Sequence, residues 1–202
     1  MNEHENTRGV TAADGTTKAR IERAALNLFA ERGVDAVTTR EIAAQSGISE
    51  GAIYRHFSSK EALAQTLFET IHKRLSTDIR DAAARHDKID QQAEAVVNAY
   101  CNIADDDWSL FAYHLITTHR YLPSPDRPET SENDSPVAAV ESLIEKAMAR
   151  GELPAGDVAL KAAMALGAVL QPALHKFYGR IPETLTAHQP ALLRAVLVIL
   201  KS

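Results

Sequence analysis

The sequence predicts an all-α protein, with a small helical head near its N-terminus and a larger helical bundle after it. Two observations support this fold class. From Lys18 onward, apolar residues recur three and four positions apart, which is the period of an amphipathic helix. No segment alternates apolar and polar residues with the period of two that a half-buried strand requires, so we predict no strands.

The composition is that of a globular protein without disulfides. Of the 202 residues, 45% are hydrophobic and 24% are charged, which is ordinary for a soluble chain. A single cysteine, Cys101, cannot form an intramolecular disulfide, which is typical of a reducing compartment. The first residues do not have the pattern of a signal peptide, and there is no run of about 18 apolar residues. We therefore expect a cytoplasmic protein with no membrane contact.

The charge is distributed unevenly along the chain. The formal net charge is −5, and residues 1–60 hold as many basic as acidic side chains, so the net charge falls in residues 61–202. This distribution excludes a uniformly basic surface. It leaves room for local contact with nucleic acid at the N-terminal end.

Three short helices are predicted in the head, after a polar arm over residues 1–16 that we expect to be flexible. Thr38 and Glu41 have the spacing of a capping box, which marks the start of the second helix. Gly47 follows this helix and is a typical stop. Ser49 is the predicted cap of the third helix. The predicted ranges are 17–32, 39–45 and 49–55.

Six further helices are predicted after the head. Ser135 is a cap before Pro136, which suits the first position of a helix. Pro172 lies inside a predicted helix and should kink it near Ala168. The segment 123–134, which has three prolines, is predicted to be an exposed loop. The predicted helical ranges are 60–85, 88–104, 107–121, 136–150, 157–178 and 188–201.

Residues 38–63 have the pattern of a helix-turn-helix. Two short helices are joined by a tight turn at Ser46–Ile48, in which Gly47 supplies the positive φ that the turn needs. Four apolar side chains can fix the second helix at a set angle on the first, as presentation of a helix to the major groove of DNA requires. They are Ala43, Ile48, Ile53 and Phe57. The alternative is an ordinary helical hairpin inside a bundle.

The exposed side of the second helix carries residue types that suit DNA contact. The small residues Gly51 and Ala52 allow the backbone to approach base edges, and Arg55 can reach guanine or a phosphate. Three further side chains can donate to phosphates, which positions the protein without reading sequence. They are Tyr54, His56 and Lys60.

Residues 18–63 resemble the DNA-binding domain of the TetR/AcrR family of bacterial regulators, through the segments TTREIA, YRHF and SKEAL. The resemblance implies a DNA-binding domain over residues 17–63 and a ligand-binding and dimerisation domain over residues 64–202. It also implies particular DNA contacts. These are Thr39 and Arg40 on phosphate and sometimes a base, Glu50, Gly51 and Ala52 at base-reading positions, and Tyr54, His56 and Lys60 as phosphate clamps.

Glu50 departs from a simple pattern of DNA contacts, because a carboxylate cannot contact phosphate favourably. We expect it either to accept from a cytosine amino group or to cap the helix N-terminus. Gly51 offers no side chain, so direct base readout is expected to be sparse. Before the helices, Arg8, Lys18 and Arg20 either reach the DNA backbone or minor groove or form a solvated basic arm.

The resemblance also implies a small-molecule pocket within residues 65–180, for which aromatic and polar side chains are the candidates. Trp108, Phe111, His114, Thr118 and Tyr100 are the predicted ligand-binding residues. The alternative is core packing by aromatic residues at helical spacing. No metal site is expected, since there is one cysteine and no HExxH motif, and no cofactor is predicted. Asp105–Asp107 is expected at a helix start, with calcium binding as an alternative.

Apolar helices near the C-terminal end predict dimerisation. Residues 159–174 and 191–200 are so apolar that they must be buried, either against a second copy or within a monomer. A dimer presents two recognition helices, which read a palindrome. The resemblance thus predicts a homodimeric repressor that a small-molecule ligand releases from a palindromic operator in double-stranded DNA.

Two other functions were weighed against this prediction. The first is a DNA-bound regulator that recruits another protein and has no small-molecule effector. The second is an all-α enzyme, which we reject because the sequence has no nucleophile elbow, paired catalytic carboxylates, phosphate-binding glycine loop or metal spacing.

Overall fold

The computed structural model describes residues 10, 11, 13–121 and 135–202, and all regular structure in these ranges is helical. The predicted all-α fold class is confirmed, and most predicted helix ends agree to within about two residues. The helices are α1 (Thr17–Arg32), α2 (Thr39–Ser46), α3 (Glu50–Ile53), α4 (Lys60–Ala83), α5 (Ile89–Asp106), α6 (Trp108–Tyr121), α7 (Pro136–Ala149), α8 (Val158–Phe177) and α9 (Leu185–Lys201). The predicted loop 123–134, Arg8 and most of the predicted arm lie outside the described residues.

The start of α9 was predicted at residue 188, but the helix begins at Leu185. Thr184 is its N-cap, and its side chain accepts from the N–H of Ala187. The Asp105 carboxylate accepts from the N–H groups of Leu185 and Thr186, each at 2.9 Å. These bonds satisfy backbone donors that the first turn of a helix leaves unpaired. The earlier start therefore depends on a distant carboxylate as well as on a local cap.

The acidic triplet Asp105–Asp107 was predicted to lie at a helix start, but only its last residue does. Asp105 and Asp106 are the last residues of α5. Only Asp107 caps the next helix, where its Oδ1 accepts from the N–H of Leu110 at 3.1 Å. In the described ranges, no group of three or more histidine, cysteine or acidic residues is arranged to hold a metal ion.

The described residues form two compact units, and the first contains the head together with α6. It comprises α1, α2, α3, the part of α4 up to Ile71, and residues 107–121. The rings of Phe29 and Tyr113 stack with centroids 5.9 Å apart. The Tyr113 hydroxyl donates to the carbonyl of Ala64 at 2.7 Å, and burial raises the pKa of this phenol. This unit therefore extends beyond the predicted three-helix domain of residues 17–63.

Two ion pairs hold α6 in the first unit. The Arg23 guanidinium, whose residue is only 2% exposed, forms two parallel bonds to the Asp107 carboxylate at 3.0 and 2.9 Å. At the other end of α6, Arg120 Nη1 donates to both oxygens of Asp35 at 2.8 Å. The first pair is buried and the second is exposed. We therefore expect that breaking them lowers the free energy of unfolding by very different amounts.

The end of the predicted arm is attached to α1 through a buried carboxylate. Glu22 is fully buried, and its Oε2 accepts from the N–H groups of Val10 and Thr11 at 3.0 and 2.7 Å. The Thr11 hydroxyl donates to the other oxygen. Residues 10 and 11 are thus tied to α1, rather than being part of a free arm.

The second unit comprises the rest of α4 together with α5, α7, α8 and α9. Lys161 of α8 is buried, and its ammonium donates to the carbonyls of Leu200 and Ser202 at 2.9 and 2.8 Å. Glu152 accepts from the N–H of Ile89 at 2.8 Å, and this bond, with help from Arg150, lowers the pKa of the Glu152 carboxyl. These bonds fix the ends of α5 and α9 within the unit.

By length and composition, α8 is the one helix in the described ranges that qualifies as a membrane span, with a mean hydropathy of 1.3. The sequence had led us to expect no such segment. An apolar helix of this kind can equally be the core helix of a soluble protein. In α8 the buried Lys161 ammonium donates to backbone carbonyls, which is a contact expected of a core helix. About 28% of the most apolar part of α8 is buried, so several of its apolar side chains face outward in the single chain.

Candidate nucleic-acid interface

The turn between α2 and α3 has the predicted tight geometry. Gly47 has φ 66° and ψ 38°, which is the left-handed region, and the N–H of Ile48 returns to the carbonyl of Ala43 at 3.0 Å. A Cβ on Gly47 would lie 2.9 Å from Nη2 of Arg20, so both conformation and space favour glycine. Ala43 and Ile53 are buried on either side of this turn. The structure thus sets α3 on α2 at a fixed angle.

Arg20 and Lys18 serve this turn and its surroundings. The Arg20 guanidinium donates to the carbonyls of Ser46 and Gly47, the second bond measuring 3.3 Å. Lys18 lies 3.7 Å from a Glu22 oxygen and above the ring of Phe57. Neither side chain is part of a solvated basic arm, and Arg20 reaches the turn. A DNA contact by either side chain stays a prediction.

A capping box fixes the start of α2, as predicted. The Thr38 hydroxyl accepts from the N–H of Glu41, while Glu41 Oε2 accepts from the N–H of Thr38 at 2.8 Å. Arg32 donates to Glu41 Oε1 at 2.7 Å. The bond from the Thr38 N–H, followed by that from Arg32, lowers the pKa of the Glu41 carboxyl to about 2. The cap therefore contains a stable negative charge at the first turn.

A Glu41→Gln variant is expected to be less stable than the parent protein at neutral pH, and this difference should shrink as the pH falls towards 2. The folded state lowers the pKa of Glu41, so the charged carboxylate stabilises the protein above its ordinary pKa of 4.5. That contribution is lost as the pH falls from 4.5 towards 2. Thermal unfolding of both proteins from pH 7 to pH 2 measures the difference. A difference that is constant over this range would contradict the assigned role of the charge.

The predicted recognition surface presents free basic groups. Arg40, Tyr54, Arg55 and His56 are all exposed. Within the described part of the chain, the side chains of Arg40, Arg55 and His56 make no hydrogen bond or ion pair. A Cβ on Gly51 would meet open space, so the backbone of α3 is accessible there. This surface combines uncommitted donors with an accessible helix backbone, which DNA contact requires.

Thr39 joins α2 to α3 through side chains. Its hydroxyl donates to Glu50 Oε1, and the Tyr54 hydroxyl lies 3.5 Å from the same Thr39 oxygen. Ser49 occupies the N-cap position of α3, but its side chain makes no capping hydrogen bond, so the predicted Ser49 cap is corrected. Glu50 accepts from Thr39 and also lies in the first turn of α3, where a carboxylate suits the helix N-terminus. Its second oxygen stays on the exposed surface, consistent with the predicted acceptance from a base amino group.

Lys60 has a structural role that the sequence did not indicate. Its ammonium donates to the carbonyls of Val34 and Val37, each at 2.8 Å, and its side chain is only 17% exposed. These bonds tie the start of α4 to the loop between α1 and α2. Two of its three N–H donors are therefore committed within the protein. The predicted phosphate contact has one donor left and stays a prediction.

A Lys60→Met variant is expected to lose about 1.5–3 kcal/mol of unfolding free energy, because two carbonyls lose a charged donor. Lys146→Met is the matched control, since Lys146 is an exposed lysine in the last turn of α7. Urea unfolding of both variants measures the effect. If Lys60→Met unfolds like the parent protein and only DNA affinity falls, the ammonium acts on phosphate instead.

Four of the five predicted ligand-binding residues lie together on α6. Phe111 is buried and stacks on Trp108, with ring centroids 5.9 Å apart. His114 stacks on Phe68 at 5.1 Å, and the Thr118 hydroxyl donates to the carbonyl of His114 at 2.6 Å. All of these residues belong to the first unit. Of these four residues only Phe111 is buried, and their role in ligand binding stays a prediction.

Tyr100, the fifth predicted ligand-binding residue, lies in the second unit, where burial raises the pKa of its phenol well above the ordinary value. That unit also contains an apolar cavity between α5, α7, α8 and α9. The cavity is lined by Ile89, Ala93, Val96, Val97, Val140, Leu143, Ile144, Ala165, Leu166, Val169, Val196 and Leu200. The five predicted residues do not line it. The cavity is lined by aliphatic residues, and in the sequence these have the same pattern as residues that fill a hydrophobic core.

Comparison with known proteins supports the interpretation of the head. Residues 21–67 match the signature of bacterial regulatory proteins of the tetR family. The regulator TtgR of Pseudomonas putida is 42% identical over 57 residues, which are 28% of this chain and 27% of that protein. The repressor KstR2 of Rhodococcus jostii is 33% identical over 105 residues, 48% of this chain and 50% of that protein. The chain therefore spans half or less of the length of the curated relatives it matches.

Solved structures extend the likeness in fold to most of the chain. PfmR, a TetR-family regulator of Thermus thermophilus, has a TM-score of 0.71 at 20% identity, covering 91% of this chain and 98% of that one. FadR of Bacillus subtilis, solved in complex with stearoyl-CoA, also has a TM-score of 0.71 at 20% identity, covering 87% and 95%. The fold and the exposed surface of α2 and α3 define a helix-turn-helix of the kind that DNA-binding proteins use. More particularly, residues 21–67 match the tetR family, and most of the chain is similar in fold to a TetR-family structure.

Proposed function

We propose that this chain is a cytoplasmic transcriptional regulator, a homodimeric repressor that a small-molecule ligand releases from a palindromic operator. The observation that carries the proposal is the rigid α2–turn–α3 platform. It presents Arg40, Arg55 and His56 without other partners in the described part of the chain. Such donors position a protein on phosphates and read base edges. The match of residues 21–67 to the tetR family supports the same function.

The dimer is supported by apolar side chains that the single chain leaves exposed on α8 and α9. Leu160 and Met164 of α8 are 58% and 43% exposed, and Val198 of α9 is 70% exposed. Leu160 and Met164 are four positions apart, so they lie on one face of α8. Pairing these faces with those of a second copy would bury them. A dimer would place two recognition helices on half-sites about 34–36 Å apart.

The ligand response is supported by the cavity of the second unit and by the FadR structure, in which stearoyl-CoA is bound. A ligand releases the operator only if it binds the DNA-incompetent state more tightly than the DNA-competent one. The alternative regulator, which recruits a protein and has no effector, is favoured by a body core that is fully packed or stays empty. The cavity favours the ligand-responsive repressor over that alternative.

Selection of binding sites from random double-stranded DNA tests the proposal. The purified full chain is expected to enrich one palindromic sequence, and mobility shifts with that site should weaken steeply as salt increases. The ratio of protein to DNA in the shifted complex gives the stoichiometry. If no sequence is enriched at low salt, the proposed function is wrong. A single protomer on an asymmetric site would contradict the homodimer.

A further inference from the structure

The cavity of the second unit has a lining that defines the chemical class of its ligand. We propose that it binds the hydrocarbon chain of an amphiphilic molecule, whose polar end stays outside the cavity. The inference rests on the proposed function, because this molecule would be the effector of the repressor. It is carried by the lining residues, their exposure and the helices that supply them.

All twelve lining side chains are aliphatic: two isoleucines, two alanines, five valines and three leucines. None of these side chains can donate or accept a hydrogen bond. The residues lie in α5, α7, α8 and α9, where the backbone groups are used within the helices. A polar group placed here would lose its water without gaining a partner. The buried part of the ligand must therefore be hydrocarbon.

The cavity has a volume of about 60 Å³. That is more than the roughly 10–15 Å³ needed for one water, but aliphatic walls give a water no partners. An apolar cavity of this kind stays dry and accepts apolar guests. Filling it restores dispersion contacts that the lining atoms lack. This volume is less than half of the roughly 150 Å³ of a cavity that binds benzene, so the space accepts a short stretch of a flexible hydrocarbon chain rather than a ring system.

The exposure of the lining indicates where the chain enters. Ile144 and Leu200 are buried, whereas Val96, Val140, Leu143 and Leu166 are partly exposed. The partly exposed residues belong to α5, α7 and α8, so the cavity has a closed end and an accessible rim formed by these three helices. The polar end of the ligand would lie beyond this rim, in contact with water.

The cavity does not compete with the proposed dimer surface. On α8 the cavity is lined by Ala165, Leu166 and Val169, whereas the exposed residues of the proposed dimer surface are Leu160 and Met164. Successive positions on a helix are about 100° apart, which places these two sets on different faces of α8. Ligand binding and dimerisation can therefore occur together.

Calorimetric titration of the full chain with single-chain amphiphiles tests the inference. The probes are dodecanoic acid, 1-dodecanol and dodecanoyl-CoA, which share the chain and differ in the polar end. All three are expected to bind, since the chain is the common element. In a series of shorter acids, each methylene added should strengthen binding roughly fourfold until the cavity is filled, the fold-change that corresponds to the burial of one CH₂. No binding of any probe, or an affinity independent of chain length, would overturn the inference.

The Ala165→Leu variant fills the cavity from the buried wall of α8. It is expected to weaken binding of dodecanoic acid at least tenfold and to raise the melting temperature, since the added carbons occupy empty space. The matched control is Ala99→Leu on α5, a partly exposed alanine that does not line the cavity and should leave binding unchanged. Unchanged binding by Ala165→Leu would overturn the inference.

If Ala165→Leu does not fold, Leu143→Gln at the partly exposed rim takes its place, and it too should weaken binding at least tenfold. The result is distinguishable from failure of the proposed function. A chain that selects an operator but binds none of the probes refutes only the hydrocarbon site. A chain that binds the probes but selects no operator refutes only the repressor.

Discussion

Replacing Asp107 by alanine is expected to lower the unfolding free energy by about 3–5 kcal/mol. The change leaves the Arg23 guanidinium, which is 2% exposed, without the carboxylate that meets it at 2.9 and 3.0 Å. A buried charge that loses a carboxylate at this distance keeps its desolvation penalty and loses the Coulomb attraction to that carboxylate. Urea denaturation followed by circular dichroism measures the loss.

Two further variants separate the contributions to this effect. Asp107→Asn keeps an oxygen that can accept from the N–H of Leu110, so it preserves the cap of α6 while removing the charge. It should still lose most of the stability. Asp35→Ala breaks the exposed pair with Arg120 and should cost no more than about 1 kcal/mol. Equal losses for Asp35→Ala and Asp107→Ala would show that burial does not set the strength of these pairs.

An Arg40→Ala variant is expected to weaken binding to the selected operator about 10–100-fold, as the loss of a good guanidinium contact implies. Arg40 is exposed at the start of α2, and its guanidinium is uncommitted within the described part of the chain. Its removal should therefore leave the melting temperature unchanged. Affinity is measured by mobility shift over a range of salt concentrations.

The salt series also tells which DNA group Arg40 contacts. Loss of a phosphate contact should lower the salt slope by about one and weaken all sequences alike. Loss of a base contact should relax the preference at one base pair. Arg180→Ala is the matched control, since Arg180 is an exposed arginine of the second unit. Unchanged affinity for Arg40→Ala, or an equal loss for Arg180→Ala, would exclude Arg40 from the interface.

The helices of the head were predictable because their signals are local. Thr38 and Glu41 mark a helix start by spacing alone, and Gly47 marks a turn because it can adopt a positive φ. The positions of Arg40 and Arg55 on an exposed surface follow from the same helical frame. What a side chain contacts across the fold has no such signal. Lys60 donates to the backbone carbonyls of two valines, and nothing in the sequence indicates that these carbonyls are available as acceptors.

The cavity could not be predicted for a related reason. Aromatic residues such as Phe111 and Trp108 attract attention as ligand walls, yet here they pack with one another in the first unit. Aliphatic residues such as Ala165 and Val169 have the same helical spacing whether they fill a core or surround a void. Only the packing of four helices decides between the two. The pairing of Arg23 with Asp107, 84 positions apart, was beyond local reasoning in the same way.

The presence of α6 in the first unit affects how this protein is made and how it can be recombined. At synthesis rates of roughly 5–20 residues per second, the ribosome releases α1, α2 and α3 well before residues 107–121, which complete their core. The head must wait for α5 to be made before it can reach its final packing. A chimera that exchanges the heads of two relatives at residue 63 would therefore graft an incomplete domain. The exchange has to carry residues 107–121 from the same parent.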